Sequence, residues 1–116
     1  QRGQLMANLK ISKAQQEEAL LQFQQTLLDA GAEVNNALSQ WQTARQKTVL
    51  DREQVAHLKD ALRDTELLME HGTTNYLEVL TARQSLLVAR LSLVADRNAE
   101  IKSVITLYHA LGVGNN

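Results

Sequence analysis

Proline and cysteine are both missing from this chain, and aromatic residues are few: Phe23, Trp41, Tyr76 and Tyr108. Without proline, helices can run long, because nothing removes a backbone donor or clashes with the preceding turn. Without cysteine there is no disulfide and no thiolate metal site. The aromatic content is low for a globular core of this size. Charge of either sign is not in excess either: 12 basic and 13 acidic residues are well mixed, for a net charge of −1. That gives no electrostatic case for nucleic acid or an anionic membrane. No apolar run approaches the roughly 18–20 residues of a spanning helix.

Catalytic motifs are missing too. There is no P-loop, no GxGxxG, no HExxH and no Cys–His pairing. His57, His71 and His109 are scattered. Glu70 and His71 are adjacent, so on a helix they do not share a face, and no third metal ligand accompanies them. Ser12, Ser39, Ser85, Ser92 and Ser103 have no base arranged beside them. The reading is of a chain that is not an enzyme and binds no cofactor or metal. It opens on Gln1 rather than Met and shows no signal peptide, which reads as a piece cut from a longer protein.

What is present is helical pattern. The 116 residues make one domain at most, and two long segments rich in helix formers flank one cluster of turn formers, His71-Gly72-Thr73-Thr74-Asn75. Gly72 can adopt the left-handed conformation that ends a helix. Asn75 can cap the next one, with Glu78 at capping-box spacing. The predicted fold is all-α: a long antiparallel helical hairpin, coiled-coil-like. A long helix covers about 5–70, a tip turn 71–75, and a returning helix about 76–111. The first helix is about twice the length of the second. The turn reads either as a plain interhelical loop or as a functional tip.

Along the first segment, apolar residues recur every seven positions at Leu20, Leu27, Val34, Trp41, Val55, Leu62 and Met69. Companions three residues on include Phe23, Ala30, Ala37, Ala44 and Leu58. This is a left-handed coiled-coil seam. Thr48 and Asp51 interrupt it and read either as a wet or bent point or as a weak heptad, the weak heptad being the favoured reading. Gly31 reads either as a tolerated glycine or as a place where another helix comes close. In the second segment Leu80, Leu87, Val94, Ile101 and Tyr108 repeat every seven, beside a parallel row of Val79, Leu86, Leu93 and Leu107. Two adjacent rows predict contact with neighbours on two sides. Arg83, Arg90 and Arg97 form a third row, which reads chiefly as a solvated charged face with weak surface pairs, or else as partners for Asp60, Asp64 and Glu66, which lie at a suitable depth. His109 and Gly112 mark the helix end, and Val113-Gly114-Asn115-Asn116 reads as a frayed exit.

The arms differ in reach. At about 1.5 Å per residue they measure about 100 Å and about 55 Å. Everything before Val34 lacks an antiparallel mate in this chain, yet it carries Leu5, Leu9, Leu20, Leu21, Phe23, Leu27 and Leu28. Burial of each is worth about 1.5–3 kcal/mol, so the surface predicts association with copies of the chain or with further parts of its own protein.

The run Gly72-Thr73-Thr74-Asn75-Tyr76-Leu77-Glu78-Val79-Leu80-Thr81-Ala82-Arg83-Gln84-Ser85-Leu86-Leu87 resembles a segment of the TolC-like bacterial outer-membrane efflux proteins. So do Leu107-Tyr108-His109-Ala110-Leu111-Gly112, the opening Arg2-Gly3-Gln4-Leu5, and Phe23 to Leu28 with Glu33-Val34 and Ala37-Leu38. The resemblance covers nearly the whole chain in the right order. It implies a fragment of a homotrimeric outer-membrane exit duct: the long periplasmic tunnel helix of the second repeat and the shorter helix returning from the tip. The implied location is the outer membrane of a Gram-negative bacterium, held by barrel strands outside this piece. The implied partners are a periplasmic adaptor (membrane fusion) protein and, through it, an inner-membrane pump. The tip His71, Gly72, Thr73, Thr74 and Asn75 would dock the adaptor and open by helix movement. Glu78 matches an acidic place that can narrow the lumen, or else it serves the Asn75 cap. Met69 and Thr74 depart from the aromatic and arginine that form a closing network in some members. The alternative is a coiled-coil interaction module such as an adaptor hairpin.

Overall fold

A computed structural model describes residues 1–112; the expected frayed exit from Val113 to Asn116 lies outside them. The element order is α1, Arg2–Glu70, then α2, Tyr76–Ala110. α1 has 69 residues and α2 has 35. α1 starts three residues before the expected Leu5. The Leu5 N–H already donates to the Gln1 carbonyl at 3.0 Å, so the first turn closes on the chain's first residue. α2 stops one residue before the expected Leu111, which becomes its C-cap. Gly112 follows with φ +79°, its N–H donating to the His109 carbonyl at 3.0 Å.

The chain divides into two units. The first, Gln1–Asn36, is helix alone. Its side chains are exposed except for half-buried Val34. Leu5, Leu9, Leu20, Leu21, Phe23, Leu27 and Leu28 all stand open to solvent. At Gly31 an added Cβ would meet nothing within 4 Å.

The second unit, from Ala37 onward, holds the hairpin. The α1 side of its seam keeps the seven-residue pattern: Ala37, Thr48 and Val55 are buried, and Trp41, Ala44, Asp51, Leu58, Leu62, Thr65 and Met69 are half-buried. On α2 the buried residues are Val79, Leu86 and Ala89, with Ala82, Leu93 and Asp96 half-buried along the same line. Val55, Leu86 and Ala89 form the core cluster, and Leu58, Leu62 and Leu93 pack against it. Of the two apolar rows expected on α2, only the Val79 row enters this seam. The Leu80 row faces away: Leu80, Leu87, Val94, Ile101 and Tyr108 are exposed, joined by Leu91 and Ile105. The choice follows from the flanking residues. Three positions after Val79 and Leu86 stand Ala82 and Ala89, small enough for close helix approach; after Leu93 stands Asp96, half-buried in the seam. Three after the outer row stand Arg83 and Arg90, whose charge is costly to bury.

The arginine row is mostly the solvated face that its sequence favours, and one of its members pairs across to α1: Glu66 Oε1 lies 3.6 Å from Arg83 Nη2. Asp60 instead pairs with Arg63 on its own helix at 2.7 Å. Among the described residues, no ion pair engages Arg90, Arg97 or Asp64. No described helix is long and apolar enough to cross a membrane.

Candidate docking tip and an interhelical polar layer

The tip is built from hydrogen bonds that the sequence makes locally. α1 ends in a Schellman motif: the Thr73 N–H donates to the Leu68 carbonyl at 2.9 Å, and the Gly72 N–H to the Met69 carbonyl at 3.0 Å. This geometry needs a left-handed residue, and Gly72 supplies it with φ +73°. The His71 backbone N–H donates to the Leu67 carbonyl at 3.1 Å, and His71 Nδ1–H donates to the same oxygen at 2.9 Å. The carbonyls of Leu67, Leu68 and Met69, at the end of α1, are thereby satisfied.

α2 begins with Asn75 as N-cap, in extended backbone geometry (φ −109°, ψ 169°), its Oδ1 accepting from the Glu78 N–H at 3.1 Å. The Glu78 carboxylate does not reach the Asn75 backbone, as a full capping box requires. It accepts instead from the Thr74 hydroxyl. Its negative charge in the first turn also suits the positive end of the α2 dipole. His71, Gly72, Thr73, Asn75 and Glu78 are exposed, and Thr74 is half-buried. Around them Leu67, Leu68, Tyr76 and Leu77 are exposed as well. The expected tip residues are thus brought together at one end of the hairpin, on an apolar collar. Chemically the tip offers the carboxylates of Glu70 and Glu78, the His71 imidazole, hydroxyls and exposed apolar surface. Among the described residues no three His, Asp or Glu side chains come close enough to hold a metal ion.

A second polar feature lies in the middle of the seam. The Thr48 and Asp51 interruption, where the sequence favours a weak heptad over a wet or bent point, is an organised polar layer. Thr48 is almost fully buried, and its hydroxyl donates to the Ala44 carbonyl at 3.1 Å, which satisfies it within its own helix. Asp51 faces Asp96 of α2, and Lys47 Nζ lies 3.5 Å from Asp96 Oδ1. Oδ2 of Asp51 is buried with no protein donor to satisfy it. The Asp51 carboxyl is held above the usual carboxylate range. The largest cause is its hydrogen bond with the Asp96 side chain, followed by burial and by the charge of Asp96; Lys47 pulls the other way. Sequence reasoning passed over Lys47 and Asp96. The signal was Asp96 itself, a charged residue seven positions after Ala89 on the buried line of α2.

The whole chain finds relatives among transport proteins. Residues 1–113 match the outer membrane efflux protein family. The cation efflux system protein CusC of Escherichia coli K12 is 33% identical over 112 residues, which is 97% of this chain and 24% of CusC. The toluene efflux pump outer membrane protein TtgC of Pseudomonas putida is 30% identical over 112 residues, 97% of this chain and 23% of TtgC. The solvent efflux pump outer membrane protein SrpC, also of P. putida, is 28% identical over 112 residues, 97% of this chain and 24% of SrpC. The chain therefore spans about a quarter of the length of these relatives. No solved structure matches. The efflux motifs at Gly72–Leu87 and Leu107–Gly112, the helical hairpin, and a match that runs from the first residue to 113 agree: this chain belongs to the outer membrane efflux protein family.

Proposed function

We propose that the chain is part of the wall, and the periplasmic end, of an exit duct in the outer membrane of a Gram-negative bacterium. Three copies of the full-length protein form the duct, and it works in a tripartite efflux or secretion system. The turn 71–75 docks a periplasmic adaptor, which connects it to an inner-membrane pump. The tip helices move apart to release cargo, and Glu78 faces the narrowed lumen.

The observation that carries this reading is membership of the efflux family across the chain. The uncovered apolar rows support it: the early leucines of α1 and the Leu80–Tyr108 row of α2 are surfaces that a wall of side-by-side helices covers. Relatives named for cations and for toluene match over the same segment. This supports the reading that the segment carries the conduit rather than the choice of cargo. A free-standing adaptor hairpin would have arms of similar reach, whereas α1 has 69 residues against 35 in α2.

Two measurements on the full-length protein test it. Single-channel recording of Glu78→Lys should show altered conductance or cation preference, and unchanged behaviour removes Glu78 from the lumen. Thr73→Cys carrying a short cross-linker should capture the adaptor in cells. If only lipid or other outer-membrane proteins are captured, the tip is not the docking end.

A further inference from the structure

The seam of the hairpin is mostly apolar, and at one level Thr48, Asp51 and Asp96 lie in it, with the exposed Lys47 reaching Asp96 from its edge. Thr48 is satisfied by its own helix, so the unsettled chemistry belongs to the two carboxyls. Asp96 has a side chain only 17% exposed, and Asp51 is half-buried with a buried, unpartnered oxygen. Two ionised carboxylates facing each other under these conditions repel, and one lysine at 3.5 Å from Asp96 neutralises only one of them. A proton on Asp51 resolves the conflict, because its O–H then donates to Asp96 and the layer becomes neutral overall. The open groove beside the layer, about 710 Å³, is lined by Lys47, Asp51 and Asp96 as its only charged groups; Gln54, Gln84 and Ser92 contribute neutral ones. The charges that face Asp51 are thus Lys47 from its own helix and Asp96 from α2.

We propose that this layer is a proton-operated weak point of the hairpin: with one proton shared by Asp51 and Asp96 the seam closes across it, and with that proton gone the two helices part there first. The direction follows from linkage. Asp51 in the folded chain keeps its proton to higher pH than it does unfolded, so the folded form binds more protons through that window. The closing contribution is complete below the ordinary carboxylate range and is lost as pH rises through the raised value. Lys47 works against the proton, so it sets the window lower than the carboxyl pair alone would. The proposal rests on the seam alone and stands or falls apart from the duct reading.

The test is hydrogen exchange of the full-length protein, followed by mass spectrometry from about pH 4 to about pH 8. Protection, corrected for the intrinsic exchange rate, should fall with rising pH in peptides covering 44–55 and 89–100. The fall should be about tenfold for each pH unit by which folding displaces the titration. Peptides covering 62–70, closer to the turn, should stay level. Asp51→Asn should level the response at the layer. Lys47→Gln should shift the fall to higher pH, and it decides the matter should Asp51→Asn fail to fold. A level wild-type profile, an unchanged fall in Asp51→Asn, or a Lys47→Gln fall that stays put or moves to lower pH would each overturn the proposal.

Discussion

Leu86 and Leu87 are neighbours in sequence and opposites in surroundings: Leu86 is 5% exposed in the core cluster, and Leu87 is 57% exposed on the outer row of α2. A rotation of one helical position separates the surface that folds the hairpin from the surface left for something else. Leu86→Ala should destabilise the hairpin by about 2–5 kcal/mol, the usual cost of emptying a packed site. Leu87→Ala should leave hairpin protection within about 0.5 kcal/mol of wild type. In the full-length protein it should instead lower the temperature at which subunits dissociate in detergent. Equal effects of the two changes on hairpin protection would contradict the seam.

The Asn75 cap gives a second expectation. Asn75→Ala removes the acceptor for the Glu78 N–H and should cost about 1 kcal/mol, read as faster exchange in the first turn of α2. Asn75→Asp keeps the acceptor and should restore protection.

Two of the glycines, Gly31 and Gly72, should respond with opposite signs. Gly72 has open space around it but φ +73°, so Gly72→Ala should cost about 1–2 kcal/mol through the backbone alone. Gly31 sits inside α1 with nothing near its Cβ position, so Gly31→Ala should stabilise the helix by about 1 kcal/mol in thermal unfolding of this chain. If the same change weakens subunit assembly in the full-length protein, another helix approaches there.

The Glu66–Arg83 contact should contribute little. Both side chains are about half exposed and 3.6 Å apart, so Arg83→Ala should cost less than about 1 kcal/mol, and the loss should shrink further in high salt.

The sequence shows the α1 seam well, because a seven-residue repeat survives from Val34 to Met69 and only one face of a helix can carry it. It does not tell which row of α2 is buried. Val79 and Leu80, Leu86 and Leu87, and Leu93 and Val94 are equally apolar, and the difference lies in the alanines and arginines beside them. The tip was legible because Gly72 and Asn75 each have one conformational specialty at the right spacing. The turn of the Glu78 carboxylate toward Thr74 was not, since capping-box spacing points to the Asn75 backbone. The polar layer was half visible: Thr48 and Asp51 interrupt the repeat on α1, but meeting Asp96 depends on the register between helices, which no single strip of sequence contains.

The bend at Gly72 has a property that belongs to jointed tools. The hydrogen bonds described for it run among residues Leu67 to Glu78, and the mid-seam layer contributes to none of them. Like the pivot of a pair of compasses, it is built independently of whatever holds the legs together.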